Sequence, residues 1–360
     1  MTERPLHLLH VTETLATGVL DVVARMAAHQ VELGHRVTVL HSPRPETPPR
    51  AVLQTRLGGA ELVTVGDSTQ KRFTRLRALR SALVDLRRRG DIDLIHLHSS
   101  FAGVVGRLGA TKTPVIYSPH GFAFLRRDVS RTKAQAFQLA EAVLARRSDA
   151  VLCVSASEEH VARTALRAPT LLVPNRLSME ELQLGAPGSA GAKPLIVNVG
   201  RWSPQKAPER FARAATEFQA DADFLWIGDG PSPEPLSGYS VSGWIEPTDV
   251  VRRLAAASII YFTSRWEGMP VGLMQAQALG IPAVALSCVG VSDVVVDGVT
   301  GLIVDDEATA HRELRRLLDD PARLASMRAA AVSLRDRFSD VNYGHDLMAA
   351  YREVVGPRVR

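Results

Sequence analysis

Short apolar runs alternate with longer segments of helical periodicity along most of the chain, which predicts strands and helices in turn. In the first half, an apolar run at 6–11 precedes a helical pattern over 18–33, and a second apolar run follows Gly34. Further strands are predicted at 94–98, 115–118, 150–155, 170–173, 195–199, 224–227, 258–263, 283–286 and 301–304. Strands alternating with helices in this way are typical of an α/β fold with parallel sheets.

One segment interrupts this alternation. Residues 185–194 read GAPGSAGAKP, a composition typical of a linker or hinge. We therefore predict one α/β domain over 1–182, a linker over 183–194 and a second α/β domain over 195–340. The apolar periodicity near the end predicts a helix over 341–360 that packs back on the first domain.

Length and composition indicate a globular protein. With 360 residues, 46% of them hydrophobic, and a mean hydropathy near zero, the chain is long enough for two cores. No run of about 18 apolar residues is present, and the N-terminus lacks a signal-peptide pattern, so a cytoplasmic location is expected. The two cysteines argue against a disulfide framework and against a cysteine-based metal site.

The chain is basic, with a formal charge of +5 and a pI of about 9.5, which suits an acidic partner such as a nucleotide or an anionic membrane. The densest basic run, Lys71 to Arg89, has apolar residues at helical spacing. Such a helix either lies peripherally on the inner face of the cell membrane or packs on its own sheet, and packing is the simpler interpretation. No recognised nucleic-acid-binding motif accompanies the charge, so no nucleic-acid partner is expected.

The stretch from Ser264 to Gly280 combines an acidic side chain, a tight turn and a helix start. Pro270 suits a first helical turn that follows a buried strand. In open α/β sheets, ligands bind at the carboxyl ends of strands, and a helix N-terminus there favours phosphate. Glu267 would suit hydroxyl groups, which donate charge-assisted hydrogen bonds, so the motif points to a sugar nucleotide. The alternative is that Glu267 only caps the following helix.

The turn after the first strand of the second domain carries two cations, Arg201 and Lys206. Together they could hold a diphosphate and stabilise the negative charge that grows as a glycosyl bond breaks. The alternative is that these two cations are solvated groups on the protein surface. Their position after a strand of an α/β domain favours the ligand-binding interpretation.

In the first domain, His120 lies at the end of a predicted strand and precedes a glycine that lets a ligand approach. A histidine satisfied within the core is the alternative. His96 and His98 share one face of a strand and could bind metal with His120, but no carboxylate motif completes such a set, so no metal site is predicted. Asp91 and Asp93 form a D-x-D motif that precedes its strand, at the wrong end for a ligand crevice.

Taken in order, seven motifs resemble those of the family-4 retaining glycosyltransferases. These motifs are GHRVTVL, HLHSSFAGVVGR from His96, YSPHGF, VPN from Val173, VGRWSPQK, SRWEGMP and VGVSDVVVDGVTGLIV from Val289. The resemblance implies the GT-B fold, in which two Rossmann-like, doubly wound parallel-sheet domains face each other across the active site. It also implies an acceptor-side first domain and a nucleotide-sugar-binding second domain.

The resemblance also implies roles for individual residues and for the co-substrate. His120 and Glu267 would contact the donor sugar as catalytic residues, Arg201 and Lys206 would bind the donor diphosphate, and Gly18 would approach the phosphate or the acceptor. Gly268, Met269 and Pro270 would form the helix N-terminus at the donor sugar, and Gln275 would face the nucleotide ribose. The family needs no metal or other cofactor, and its co-substrate is a nucleotide sugar, here expected to be UDP-linked. Retention is explained in the family by attack on the face that the diphosphate leaves, so no separate protein base is expected.

Two positions depart from the family pattern, and one of them is Arg176, which replaces a glycine common after VPN. A second glutamate, assigned to the ribose, stands eight residues after the first in the family, whereas this chain has Gln275 there. An amide lacks charge assistance, so we expect donor affinity to fall by about 1–2 kcal/mol. The expected function is transfer of a hexose to a saccharide, lipid-linked or small-metabolite acceptor, as in glycan biosynthesis. The alternatives are a nucleotide-sugar epimerase on the same fold and a catalytically decayed nucleotide-sugar-binding subunit.

Overall fold

A computed structural model describes residues 4–109, 111–183, 193–230 and 238–356. The chain divides into two compact units, which are described separately. The first unit comprises Met1–Leu125, Ser130–Asn175 and Val341–Arg360, and the second comprises Arg126–Val129 and Arg176–Asp340. Of the predicted linker over 183–194, residues 184–192 lie outside the described residues.

The first unit contains a sheet that has seven strands within the described ranges, in the order β3-β2-β1-β4-β5-β6-β7. All paired neighbours in this sheet run parallel. The strands are β1 His7–Thr12, β2 Arg36–His41, β3 Glu61–Thr64, β4 Leu94–His98, β5 Val115–Ser118, β6 Ala150–Cys153 and β7 Thr170–Leu172.

The second unit contains a sheet with six described strands in the order β10-β9-β8-β11-β12-β13, again with parallel neighbours. These strands are β8 Leu195–Val199, β9 Asp223–Ile227, β10 Ser240–Val241, β11 Ile259–Phe262, β12 Ala283–Leu286 and β13 Gly301–Val304.

Helices connect the strands in both units. In the first unit they are α1 Thr17–Glu32, α2 Arg50–Arg56, α3 Arg72–Arg88, α4 Ser99–Arg107, α5 Arg131–Ala145, α6 Ala156–Val161 and the last helix, α13 Tyr343–Val355. In the second unit they are α7 Met179–Gln183, α8 Pro208–Glu217, α9 Pro247–Ala255, α10 Val271–Ala278, α11 Glu307–Asp319 and α12 Pro321–Ser333. Short 3-10 turns lie at Ala123–Leu125 and Arg335–Phe338, and a π-helical turn lies at Ala162–Leu166.

The predicted fold class, two Rossmann-like parallel-sheet domains, is confirmed. Strands predicted from uninterrupted apolar runs are found with the predicted bounds or within two residues of them at each end. Two strands were not predicted. In β3 only Leu62 is fully buried, and both residues of β10 are exposed, so neither strand carries the apolar run that marks a central strand.

Each sheet has one point at which the strand order reverses direction. In the first sheet this point lies between β1 and β4, and in the second it lies between β8 and β11. Ligands of open α/β sheets bind at the carboxyl ends of the strands at such a switch point. The fold therefore directs attention to the loops that follow β1, β4, β8 and β11.

The basic helix α3 packs on its own unit. Leu79, Leu83 and Leu86 are buried in the core of the first unit, which supports the packing interpretation of this segment. Phe73, at the start of the helix, is 70% exposed. None of the helices within the described ranges combines the length and apolar character that crossing a membrane requires.

In the second unit, a close backbone contact holds the turn that precedes α10. Gly290 is buried and has a φ of +84°, and a Cβ built on it would lie 2.1 Å from the carbonyl oxygen of Gly268. Only glycine fits this position without displacing the backbone, because the conformation is left-handed and the obstacle is backbone.

We expect Gly290→Ala to destabilise the protein by more than its left-handed conformation alone would cost. Gly298→Ala is the matched control, since Gly298 has a φ of +71° and open space around its Cα. In the control, backbone strain should lower the free energy of unfolding by about 1–2 kcal/mol. In Gly290→Ala, overpacking should lower it by about 1–3 kcal/mol more. Thermal unfolding of both variants measures the difference, and equal losses would refute the backbone contact as its cause.

Candidate active site

In the second unit, a cation and a carboxylate meet where two neighbouring strands end. Lys206 follows β8 and Glu267 follows β11, and Lys206 Nζ donates a hydrogen bond to Glu267 Oε1 over 2.6 Å. The side chains are 19% and 9% exposed, so the pair is largely but not wholly removed from solvent. Gln205 Nε2 lies 3.3 Å from Glu267 Oε2 and 2.9 Å from the carbonyl oxygen of Trp266. Both carboxylate oxygens of Glu267 therefore have donors.

The backbone beneath this pair is fixed by glycine and by buried polar groups. Gly200 has a φ of +148°, and a Cβ on it would lie 2.8 Å from Cε of Lys206, so the absence of a side chain leaves room for the lysine. Asn198 Nδ2 donates to Thr263 Oγ1 over 2.8 Å, and Thr263 Oγ1 donates to the carbonyl oxygen of Lys206 over 2.7 Å. These bonds join the ends of β8 and β11 and set where the lysine leaves the backbone.

Glu267 does not cap the helix that follows it. The N-cap of α10 is Pro270, which makes no side-chain hydrogen bond to the helix, and the Glu267 carboxylate is directed to Lys206 and Gln205 instead. Pro270 was predicted to lie in the first turn of this helix. It is instead the N-cap, so the helix begins one residue later, at Val271. Gly268 and Met269 form the turn between Glu267 and the helix, whose first turn presents backbone N–H groups.

Two further predicted residues lie on the same elements. Gln275 is partly exposed on α10, which begins at Val271. Arg201 is also partly exposed, in the loop that carries Lys206. The structure thus brings Lys206 and Glu267 into contact and leaves Arg201 and Gln275 accessible on the adjoining segments.

In the first unit, His120 lies just beyond the end of β5 in a left-handed backbone conformation, with a φ of +51°. The buried Glu158 holds the adjoining turn, because its Oε1 accepts from the Gly121 amide over 2.7 Å and its Oε2 accepts from the Val154 amide over 2.9 Å. Ser155 Oγ in turn accepts from the Glu158 amide over 3.0 Å, which caps α6. Strain of this kind persists where surrounding contacts determine the conformation, as it does at many ligand sites.

His120 is the outer member of a row of histidines. His120 Nε2 lies 3.0 Å from His98 Nδ1, His98 Nε2 lies 2.8 Å from His10 Nδ1, and His10 Nε2 lies 2.7 Å from Gln30 Oε1. Burial lowers the pKa of His10 and of His120 to about 4 and holds the pKa of His98 well below its usual range. The row is therefore uncharged at neutral pH.

Three histidines here are close enough to share a metal ion, and they are not the set that the sequence analysis considered and rejected. They are His10, His96 and His98, whereas His120 contacts only His98 among them. Each ring nitrogen of the three already has a hydrogen-bond partner, and His96 is bonded to Ser118 and Tyr351. The hydrogen bonds account for the arrangement without an ion.

Gly18 lies in the first turn of α1, which begins after the short loop that follows β1. It is exposed, and a Cβ at this position would meet no atom within 4 Å, so the backbone there is open to a ligand. Asp91 and Asp93 lie at the other end of the sheet. Asp93 accepts from the His7 amide and Asp91 from Arg36, so this D-x-D motif holds the start of β1 and β2.

Sequence reasoning missed several side chains that position these groups, and among them are Gln205, Glu158, Gln30 and Tyr351. Ser155 and Glu158 form an S-x-x-E capping-box pattern, which could have marked Glu158 as ordered. The other three carry no such local signal, since each meets its partner through the fold.

Two family models match this chain. Residues 17–176 match the family described as glycosyl transferase 4-like domain, and residues 193–320 match glycosyl transferases group 1. D-inositol 3-phosphate glycosyltransferase 1 of Catenulispora acidiphila is 29% identical, over 94% of this chain and 87% of its own length. An Escherichia coli UDP-Gal:alpha-D-GlcNAc-diphosphoundecaprenol alpha-1,3-galactosyltransferase is 25% identical, over 66% of this chain and 70% of its own.

Among solved structures, Anabaena HepE in complex with UDP-glucose superposes with a TM-score of 0.77 at 16% identity, covering 97% of this chain and all of that one. At this identity the likeness shows the fold alone. The two family matches together span most of the chain, and both sheets have the expected parallel order. The chain therefore belongs to the family-4-like glycosyltransferases with the GT-B fold.

Proposed function

We propose that this glycosyltransferase moves a hexose, with retention of anomeric configuration and without a metal ion, from a UDP-linked sugar to a saccharide, lipid-linked or small-metabolite acceptor. The observation that carries the proposal is the contact between Lys206 and Glu267 at the switch point of the second sheet. A cation beside a carboxylate matches a ligand that is anionic at one end and bears hydroxyls at the other.

The lysine can serve both groups at once. An ammonium has three donors, so Lys206 can keep its bond to Glu267 and also donate to a phosphate oxygen. Arg201, from the same loop, would add a planar fork for the diphosphate. These two cations would supply the charge that a metal ion supplies in other transferases, which supports metal-independent transfer.

Glu267 would orient the donor sugar. Its carboxylate is largely buried and receives Lys206 on one oxygen, while Gln205 approaches the other at 3.3 Å, longer than an ideal hydrogen bond. Sugar hydroxyls would displace the long contact and donate shorter, charge-assisted bonds. Gly268, Met269 and Pro270 would bring the first turn of α10 against the same ligand, and Gln275 would face the ribose.

In the proposed reaction, the bond between the anomeric carbon and the diphosphate oxygen breaks as the acceptor oxygen bonds to that carbon on the same face. The acceptor proton passes to the departing diphosphate oxygen. Lys206 and Arg201 stabilise the charge that develops there. His120 contacts the sugar, and Gly18 leaves room for the phosphate or the acceptor.

Named relatives support the choice of substrates without fixing it. HepE binds UDP-glucose, the Escherichia coli relative is named for a UDP-galactose donor and a diphosphoundecaprenol acceptor, and the Catenulispora relative is named for an inositol phosphate. A UDP-hexose donor is common to two of the three. The two relatives whose names include an acceptor differ in it, so we propose three acceptor classes and a role in glycan biosynthesis.

We expect Lys206→Ala to lower release of nucleoside diphosphate from the cognate sugar nucleotide by about 100-fold or more, since one transition-state donor is lost. Arg201→Ala should also lower it, while Lys193→Ala should not, because Lys193 Nζ donates to the backbone carbonyl of Gln219 and has no hydrogen bond to Lys206 or Glu267 among the described residues. Activity should survive a chelator. Thermal unfolding would show that each variant is folded.

The same assay separates the alternatives. Epimer formation without an acceptor, detected by NMR, would identify an epimerase, and binding without turnover would identify a decayed subunit. Either result would refute hexose transfer.

We expect Gln275→Glu to tighten binding of the donor about 5- to 30-fold, because a carboxylate accepts charge-assisted bonds from the ribose hydroxyls that an amide accepts more weakly. Gln219→Glu is the control, since it makes the same charge change at an exposed position in the same unit. Calorimetric titration with the sugar nucleotide measures both. Binding no tighter than that of the control would refute the ribose contact.

We further propose peripheral membrane contact through Lys71 to Arg89, supported by the exposed Phe73 at the start of α3. The protein should sediment preferentially with anionic vesicles over neutral ones, and Phe73→Ser should weaken this about 3- to 10-fold through lost apolar burial. Val341→Ser, at a position that is 81% exposed outside α3, should not. Equal sedimentation with both vesicles would refute the proposal.

A further inference from the structure

A row of polar side chains runs through the first unit and ends at His120, with a hydrogen bond at every step except the one from Tyr351 to Gln30. One end is the backbone carbonyl of Leu152, which accepts from Ser118 Oγ over 2.7 Å. Ser118 Oγ also lies 2.9 Å from His96 Nε2, and His96 Nδ1 lies 2.5 Å from the hydroxyl of Tyr351 on the last helix. Gln30 and His10 continue the row.

The carbonyl of Leu152 gives this row a direction. A carbonyl oxygen can only accept, so the Ser118 hydroxyl donates its one hydrogen to Leu152. Ser118 Oγ must therefore accept from His96 Nε2. Burial holds the pKa of His96 well below its usual range, so its ring is neutral and carries only one hydrogen. That hydrogen is on Nε2, so Nδ1 has a lone pair and can only accept. The Tyr351 hydroxyl must therefore donate to His96.

The direction passes on through Gln30. Burial raises the pKa of Tyr351, and the nearby Gln30 side chain opposes that rise. Gln30 Nε2 is buried and has no partner of ordinary hydrogen-bond geometry within the described residues, so this link is the loosest of the row. The Tyr351 hydroxyl donates its one hydrogen to His96, so its oxygen can only accept from Gln30. The amide nitrogen of Gln30 therefore faces Tyr351, and the amide oxygen faces His10.

The remaining steps follow by the same rule. Gln30 Oε1 accepts from His10 Nε2, so the one hydrogen of the neutral His10 ring is on Nε2. His10 Nδ1 therefore has a lone pair and accepts from His98 Nε2. His98 Nδ1 is then a lone pair and accepts from His120 Nε2. A neutral imidazole carries one hydrogen, so His120 has none left for Nδ1.

We infer that this hydrogen-bonded row fixes His120 in the tautomer protonated at Nε2, so that His120 presents Nδ1 as an acceptor to its ligand. Tyr351, Gln30, His10 and His98 are positioning residues in this scheme, and none of them is inferred to touch the ligand. His120 Nδ1 has no hydrogen-bond partner among the described residues, and His120 is partly exposed. The consequence for the ligand, which rests on the proposed function, is that a sugar hydroxyl donates to His120, while a carboxylate at the same place would be repelled.

Long-range proton–nitrogen NMR of the nitrogen-15-labelled full-length chain tests the inference without any substrate. His120 should show a protonated Nε2 and an unprotonated Nδ1 near neutral pH, with its signals identified by their loss in His120→Gln. A protonated Nδ1 at His120 would overturn the inference, and so would a stoichiometric metal bound to the purified protein, because an ion would take lone pairs that the row uses.

Two variants test whether the direction is transmitted. Tyr351→Phe keeps the ring and its packing but removes the hydroxyl, and Ser118→Ala removes the first link. In each, the row can reverse, so His120 should populate both tautomers. Tyr343→Phe, the same change at another buried tyrosine on the same helix, should leave the wild-type spectrum at His120.

An unchanged His120 tautomer in both Tyr351→Phe and Ser118→Ala would refute transmission through the row. A purely structural role for Tyr351 predicts that unchanged result, because phenylalanine preserves shape and burial. These readouts come from the free protein, so they stand or fall independently of whether hexose transfer is observed.

Discussion

The pairing of Lys206 with Glu267 is the interaction on which the candidate site depends. A largely buried carboxylate without a cation would be costly, and a lysine without its carboxylate would be free to extend into solvent. Held together over 2.6 Å, the two groups keep each other in place before a ligand arrives. In the proposed function, the same pair would offer opposite charges to opposite ends of one ligand, so the contact that stabilises the unliganded site would also select the ligand.

This pairing is possible because of strand order. Lys206 and Glu267 are 61 residues apart, but β8 and β11 are neighbours in the sheet, so the loops after them emerge side by side. Thr263 closes the arrangement by joining the end of β11 to the backbone of Lys206. Gly200 keeps the lysine stem close to the turn. The chemistry at the strand ends is therefore set by backbone geometry as much as by the two charged residues.

The sequence predicted the central strands because each is an uninterrupted apolar run, and it predicted Lys206 and Glu267 because both follow such runs. It could not predict their contact from spacing alone, since contact requires the strand order. The row of hydrogen bonds was harder still to predict, because Tyr351 meets His96 across 255 residues and no local pattern marks Tyr351 as its partner. The histidines illustrate the limit: the sequence could only reject a metal set for lack of a carboxylate motif, and it is the fold that shows which hydrogen-bond partners His96 and His98 have.

The two units place polar groups at their switch points by different physical means. In the second unit the groups are charged, and their positions follow from mutual attraction in a site that is partly open to solvent. In the first unit the groups around His120 are neutral and buried, so Coulombic attraction cannot orient them, and the number of hydrogens each group carries does so instead. A charged pair can tolerate small displacements because its energy falls slowly with distance. A directed row of hydrogen bonds is more sensitive to change, because reversing the donor and acceptor of one member reverses every member beyond it. The orientation of His120 is therefore expected to be more sensitive to single-atom changes far from the ligand than the position of Lys206 is.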